Sequence, residues 1–290
     1  MRGKEDEQHP DDERKKQEAL KLISKYTKHK QVRLVQRGNA AIFCALVIAK
    51  KVNPRRYILI PDQGGWLSFK TYPQIVGFET KTVKTDLGIV DIADLEKKAK
   101  DASAFIVTSF AGYSAEQPMK EISAVCRKHC CLLIEDASGA VGDETLCDGT
   151  VSDIIVGSFG KWKPVNVGYG GFISSAKKEY FDAANEIFST TNHYPAYDDM
   201  ISKLKELPSR LSGMIELASK VKKELSAVYP DIKIMHKSLR GLNVIALCAA
   251  DSDNKNIKAY CDKKGYQYVE CPNYTRVEEK AISIELKRLL

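Results

Sequence analysis

Apolar residues along this chain fall into short unbroken runs. Tyr57-Ile58-Leu59-Ile60, closed by Pro61-Asp62, is the clearest, and Ala104 to Thr108, Cys131 to Glu135, Ile154 to Ser158 and Gly171 to Ser174 repeat the pattern. Between them, Asn39 to Lys51, Asp91 to Lys100 and Pro118 to His129 carry apolar residues at helical spacing. Strands that are apolar on both faces and separated by helices predict a mostly parallel sheet with helices on both sides, an α/β domain.

From about Lys177 the pattern becomes helical, with a break at Asn192-His193-Tyr194-Pro195. Tyr197 to Val228 reads as one long helix, with Met200, Ile201, Leu204, Leu207, Leu211 and Ile215 on its apolar side. Beyond Pro230, short strands are expected at Ile232 to Met235, Asn243 to Ala249 and Gln267 to Cys271. A helix at Asn254 to Lys264 separates the last two, and Ala281 to Leu286 alternates like another strand. At the other end, residues 1–18 are mostly charged or polar and read as a frayed tail; Ala19, Leu20, Leu22, Ile23 and Tyr26 then supply a helix face. The expected organisation is therefore a tail over 1–18, a large α/β domain over 19–196, and a long helix plus small α+β domain over 197–290.

Composition narrows the function classes. With 43% hydrophobic and 29% charged residues among 290, the chain is neither collagen-like nor fully disordered. No uncharged apolar run approaches the roughly 20 residues of a membrane-spanning helix, and Met1 to Glu7 lacks the apolar core of a signal peptide. A soluble protein of the cytoplasm is expected. The 45 Lys and Arg against 38 Asp and Glu leave +7, a mild surplus suited to an anionic cofactor or substrate. The Lys-rich stretches lie among acids at helical spacing, which fits a solvated helix face better than a nucleic-acid patch. Eight cysteines form no CxxC pair, and Cys126, His129 and Cys130 have no second ligand cluster, so free thiols and no metal are expected.

Three stretches carry candidate chemistry. In Gly157-Ser158-Phe159-Gly160-Lys161-Trp162-Lys163, a strand end runs into a loop with two lysines, followed by Gly168-Tyr169-Gly170-Gly171. Glycines so spaced allow backbone to approach a ligand, although a plain tight turn with surface lysines would look the same. In Leu132 to Gly142, Asp136 ends a central buried strand, the edge where open α/β sheets hold ligands; an isolated Asp there could also simply cap a turn. In Gln36-Arg37-Gly38-Asn39-Ala40, a small-residue turn opens an apolar helix, whose free N–H groups suit a phosphate.

Taken in this order, the three stretches resemble the fold-type-I pyridoxal-phosphate enzymes, and most closely the DegT/DnrJ/EryC1/StrS aminotransferase family. The resemblance runs from about Arg37 to Ser175 and rests on Arg37-Gly-Asn-Ala-Ala-Ile42, Ile134-Glu-Asp136-Ala, and Ser158 standing five residues ahead of Lys163 with Gly168, Gly170 and Gly171 beyond. It implies a large domain of that fold and pyridoxal 5′-phosphate as cofactor. It also implies a nucleotide-linked keto-sugar or amino acid as the anionic substrate, with Glu or Gln as amino donor, and a homodimer. By the same resemblance Lys163 is the Schiff-base lysine and proton carrier, and Asp136 keeps the cofactor's ring nitrogen protonated. Ser138, Ser158 and the amides of Gly38, Asn39 and Ala40 belong to the cofactor's binding groups. Trp66 lies where the family stacks an aromatic on the ring, though a rim or core filler reads the same.

Some positions depart from the family or allow a second reading. Lys161, three residues after Ser158, resembles the lysine spacing of cysteine desulfurases and competes with Lys163 for the cofactor. The family's Gln or His three residues after the Asp is Gly139 here, and Asn192-His193-Tyr194 resembles the Asn-Tyr-Arg segment that reaches the neighbouring subunit's cofactor, without its arginine. The alternatives to an aminotransferase are accordingly a lyase or sulfur-handling enzyme using Lys161, and a binding or regulatory protein on the same fold without turnover.

Overall fold

A computed structural model describes residues 10–289. Its elements, in chain order, begin with α1 (Pro10–Thr27), β1 (Gln31–Val35), α2 (Gly38–Val52), β2 (Tyr57–Pro61), α3 (Leu67–Ile75) and β3 (Glu79–Val83). A small hairpin of β4 (Thr85–Asp86) and β5 (Ile89–Val90) leads into α4 (Ile92–Ala99) and β6 (Ala102–Thr108). A second hairpin, β7 (Phe110–Ala111) and β8 (Ala115–Glu116), precedes α5 (Met119–Lys128), β9 (Leu132–Asp136), β10 (Ile154–Ser158) and β11 (Gly171–Ser175). Short helices α6 (Lys178–Ala183) and α7 (Asn185–Ser189) reach the long α8 (Tyr197–Val228). The C-terminal lobe adds β12 (Val244–Leu247), α9 (Asp251–Lys264), β13 (Tyr268–Cys271), β14 (Ala281–Ile284) and a 3₁₀ turn over Leu286–Arg288.

Seven strands form one sheet in the order β1-β11-β10-β9-β6-β2-β3, in which β11 alone runs against its neighbours. The central strands β2, β6, β9 and β10 pair in parallel, as their two-faced apolar sequences require. One face packs under α2 through Ala41, Cys44, Ala45, Ile48, Ile58, Ile106 and Val156. The other lies beneath α4 and α5 through Leu59, Leu95, Phe105, Val107, Ile122 and Leu133. Chain order reverses between β2 and β6, so the carboxyl ends of these strands frame a crevice of the kind that takes ligands in open sheets.

The long helix is where the two lobes meet. Its first half buries Tyr197, Met200, Leu204 and Leu207 against α1 and the sheet edge; its second half buries Ala218, Val221 and Leu225 in the core of the C-terminal lobe. Pro208 sits inside it. No described helix is long and apolar enough to cross a membrane.

Several expectations need correction. Of the tail expected over 1–18, residues 1–9 lie outside the described residues, but α1 starts at Pro10. Asp11, Asp12 and Glu13 in its first turn suit the helix dipole, and Lys15–Asp198 (2.8 Å) and Lys205–Glu18 (2.7 Å) fasten it to α8. Ile232 to Met235 is not a strand; Ile234 makes only an isolated bridge to Ala246. Strands β1 and β3 and helix α3 were not anticipated, because their polar positions hide the periodicity.

Candidate active site

The carboxyl ends of β2, β6, β9 and β10 open into a cavity of about 290 Å³. Gly38, Asn39, Trp66, Asp136, Ser138, Ser158, Lys161 and Lys163 all line it, so residues spread over more than a hundred positions of sequence converge there. Ala40 does not line it; its side chain packs against the core beneath the sheet, and only its first-turn amide belongs to the candidate anion seat. Asn192 is not brought to this cavity either. It is exposed and lines a separate cleft with Lys16, Arg33, Phe181 and His193.

The anion seat is built by close backbone approach. Helix α2 starts at Gly38 with no side-chain cap on its first turn, leaving amides for a ligand. A Cβ at Gly38 would lie 2.7 Å from Ser158 Cβ, so only glycine lets the helix start sit against the end of β10. Gly171 is tighter still: a Cβ there would lie 2.5 Å from the Gly157 carbonyl oxygen and 2.8 Å from the Gly38 nitrogen. Both are backbone atoms that cannot swing away. Gly171→Ala is therefore expected to cost about 1–3 kcal/mol of stability and to weaken phosphate-ligand binding, measured by denaturant melts alongside ligand titration.

The serines divide the work. Ser138 Oγ accepts the Ser158 amide at 3.0 Å and braces the end of β10, while Ser158 Oγ accepts the Gly160 amide at 3.2 Å and faces the seat. Asp136 ends β9, buried, with Oδ1 accepting the Ser138 amide at 3.0 Å. Burial pushes its carboxyl above the ordinary aspartate value; Ser138 and the positive charge of Lys163 pull the other way. Trp66 precedes α3, and its indole N–H donates to Asn39 Oδ1 at 2.8 Å, which fixes the ring in the cavity wall.

The two lysines are placed differently. Lys163 is half-buried; its Nζ lies 5.5 Å from the Trp66 ring centroid and bonds the hydroxyl of Tyr113. Lys161 is exposed, and its Nζ lies 4.8 Å from the ring centroid of Trp162. Trp162 takes a left-handed backbone (φ +65°), which turns the chain between the two lysines. Sequence reasoning missed Tyr113, along with Arg37, Thr108 and Tyr169, which also line the cavity. A Gly-Tyr pair just past the end of a core strand was the available signal for Tyr113. None of the eight cysteines lines the cavity.

A family model for the DegT/DnrJ/EryC1/StrS aminotransferases matches residues 13–208. The chain belongs to that family. A second model, the MJ1341 family C-terminal domain, matches residues 208–290, so the two matches meet at Pro208, inside α8. Among curated proteins, this family member is 38% identical over 89 residues to the UDP-4-amino-4,6-dideoxy-N-acetyl-beta-L-altrosamine transaminase of Campylobacter jejuni; that match spans 30% of this chain and 23% of the relative. Among solved structures, it is similar to the Helicobacter pylori aminotransferase PseC, involved in the biosynthesis of pseudoaminic acid. There the TM-score is 0.74 at 15% identity, covering 93% of this chain and 85% of that one. An apo cysteine desulfurase from Thermococcus onnurineus NA1 gives a TM-score of 0.73 at 12% identity, covering 94% and 79%. The fold is that of the fold-type-I pyridoxal-phosphate enzymes.

Proposed function

We propose that this protein is a pyridoxal-phosphate-dependent aminotransferase that acts on a nucleotide-linked keto-sugar, with Glu or Gln as amino donor. The observation that carries the reading is the placement of the Lys163 amine inside one cavity with a buried carboxylate, an indole wall and a glycine-built anion seat. These groups fit the cofactor part by part. The α2 amides and Ser158 Oγ would hold its phosphate, Trp66 would cover the ring face, and Asp136 would keep a proton on the ring nitrogen. When bound, pyridoxal phosphate supplies an electron sink for the carbon that loses its proton. Lys163 Nζ would hold the cofactor at rest and, once displaced by the amino donor, carry the proton to and from that carbon.

Arg37 and Lys161 add positive charge to the cavity wall, as an anionic sugar nucleotide requires. The names of the Campylobacter and Helicobacter relatives support a sugar substrate. A homodimer belongs to the same reading, since Leu67 and Tyr169, beside the cavity and 57% and 41% exposed, are large apolar side chains that a second copy would cover. Sulfur transfer through Lys161 would need a cysteine at the cavity, and there is none among the lining residues.

The test is a half-reaction. The cofactor-loaded protein is mixed with Glu, Gln and other amino donors, and loss of the aldehyde form is followed by absorbance together with release of the keto acid. Conversion by Glu or Gln, reversed by a nucleotide keto-sugar, is expected. Stable loading with no conversion by any donor would instead favour a binding protein on this scaffold.

A further inference from the structure

The loop that presents Lys163 contains a residue that has to be held in place. Trp162, between the two lysines, has φ +65°, a conformation bulky side chains keep only when their surroundings impose it. The loop's own backbone ties lie to either side. The Lys163 amide donates to the Gly160 carbonyl at 3.3 Å, and the Val167 amide to the Phe159 carbonyl at 3.1 Å. Neither bond involves Trp162.

Its grip comes from the C-terminal lobe. Arg288 Cζ lies 4.4 Å from the centroid of the Trp162 ring, close enough for a cation to be attracted to an indole. Lys161 Nζ lies 4.8 Å from the same centroid, so the exposed lysine is drawn to this indole too. Lys163 is left on the other side of the turn, with its Nζ 5.5 Å from the Trp66 centroid.

Arg288 is itself fixed. It belongs to the 3₁₀ turn over Leu286–Arg288, whose Leu286 is buried in the core of the lobe. Its amide donates to the Glu285 carbonyl at 2.9 Å, its Nε lies 3.3 Å from Glu285 Oε2, and its Nη1 donates to Gln267 Oε1 at 3.1 Å. The buried Glu285 carboxylate accepts in turn from Arg276 Nε at 2.7 Å and Lys287 Nζ at 2.6 Å. A guanidinium anchored along its backbone and its edge leaves its flat face for the indole.

We propose that Arg288 is a positioning residue for Lys163. By gripping the Trp162 indole it holds the left-handed turn that points the Lys163 amine into the cavity and leaves Lys161 exposed. The two lysines stand two positions apart on one loop, so a relaxed turn would let either amine enter. The C-terminal lobe thus decides which amine the cavity receives.

This inference rests on reading Lys163 as the reactive amine, and its first test needs no cofactor. Cofactor-free protein is methylated with formaldehyde and cyanoborohydride. Peptide mass spectrometry then compares Lys163 with Lys178, exposed at the start of α6, and with Lys222, buried in α8. Arg288→Ala is expected to raise the Lys163-to-Lys178 ratio about three- to tenfold, the scale of one cation–indole contact, with Lys222 still protected. Trp162→Ala should raise it to a similar extent. The double variant should go no higher than either single one, because both remove the same contact. An unchanged ratio in Arg288→Ala overturns the proposal, as do effects that simply combine in the double variant. If Lys222 rises in parallel in Arg288→Ala, the lobe has opened, and Trp162→Ala, which leaves the lobe's own bonds intact, decides alone. A rise there at Lys163 with Lys222 protected supports the grip, and no rise overturns it.

The second test uses the cofactor-loaded protein, reduced with borohydride and mapped. The adduct is expected on Lys163 alone in the wild type and divided between Lys163 and Lys161 in Arg288→Ala. An adduct that stays wholly on Lys163 in that variant overturns the proposal. A wild type that carries it on Lys161, or takes up none, refutes the aminotransferase reading instead and leaves the grip to be decided by methylation.

Discussion

Lys163→Ala is expected to abolish covalent uptake of pyridoxal phosphate and to lower transamination by about 10⁴-fold or more, because in the proposed function one amine would be both the anchor and the proton carrier. The fold should survive the change. Lys163 is half-buried in a loop, its hydrogen bond goes to Tyr113, and no ion pair of the described residues depends on it. Lys161→Ala is the control. Its amine faces Trp162 and solvent, so its loss should leave covalent uptake intact and reduce only substrate affinity. Absorbance of the dialysed proteins and steady-state rates, read side by side, distinguish the two lysines. Equal losses in both variants would count against the assignment.

Asp136→Asn is expected to separate activity from stability. In the proposed function this carboxylate would hold the proton of the cofactor's ring nitrogen, so kcat should fall by roughly 10²–10³-fold, the scale of removing one preorganised electrostatic partner. Stability of the cofactor-free protein should move the other way. Burial raises the carboxyl of Asp136 in the folded chain above its ordinary value. The folded protein therefore binds that proton more tightly than the unfolded chain does. The stability this confers is present below the ordinary aspartate value and is lost as pH rises through the raised one. At neutral pH the buried charge is a cost, and asparagine removes it. Thermal melts from pH 4 to 8 should show the variant gaining on the wild type as pH rises; parallel curves would contradict the burial argument. A site that keeps a destabilising charge has the signature of one retained for chemistry.

The core of the fold was legible because parallel strands buried on both faces must be apolar at every position, as in Tyr57-Ile-Leu-Ile and Ile154-Ile-Val. Edge strands escape that constraint. β3 reads Glu-Thr-Lys-Thr-Val and buries only Val83, so its pairing with β2 is set by the sheet rather than by its own pattern. Helix α1 extends back to Pro10 because its charges find partners on α8, more than 180 positions away.

The site divides in the same way. Asp136, Ser158 and Lys163 were readable because strand ends and the loops beyond them are fixed locally. Gly38 and Gly171 were readable because close approach demands glycine. Ala40 faces the core because it lies one helical position past the cavity-facing side of α2. Tyr113 was not readable, since its place in the cavity wall depends on a hydrogen bond to a residue 50 positions on and on backbone hydrogen bonds from the other lobe.

The most direct measurement of the central claim is borohydride reduction of the cofactor-loaded protein followed by peptide mapping. A single reduced pyridoxyl adduct on Lys163, lost in Lys163→Ala and retained in Lys161→Ala, is the predicted result. An adduct on Lys161, or wild-type protein that binds no cofactor to reduce, would contradict it.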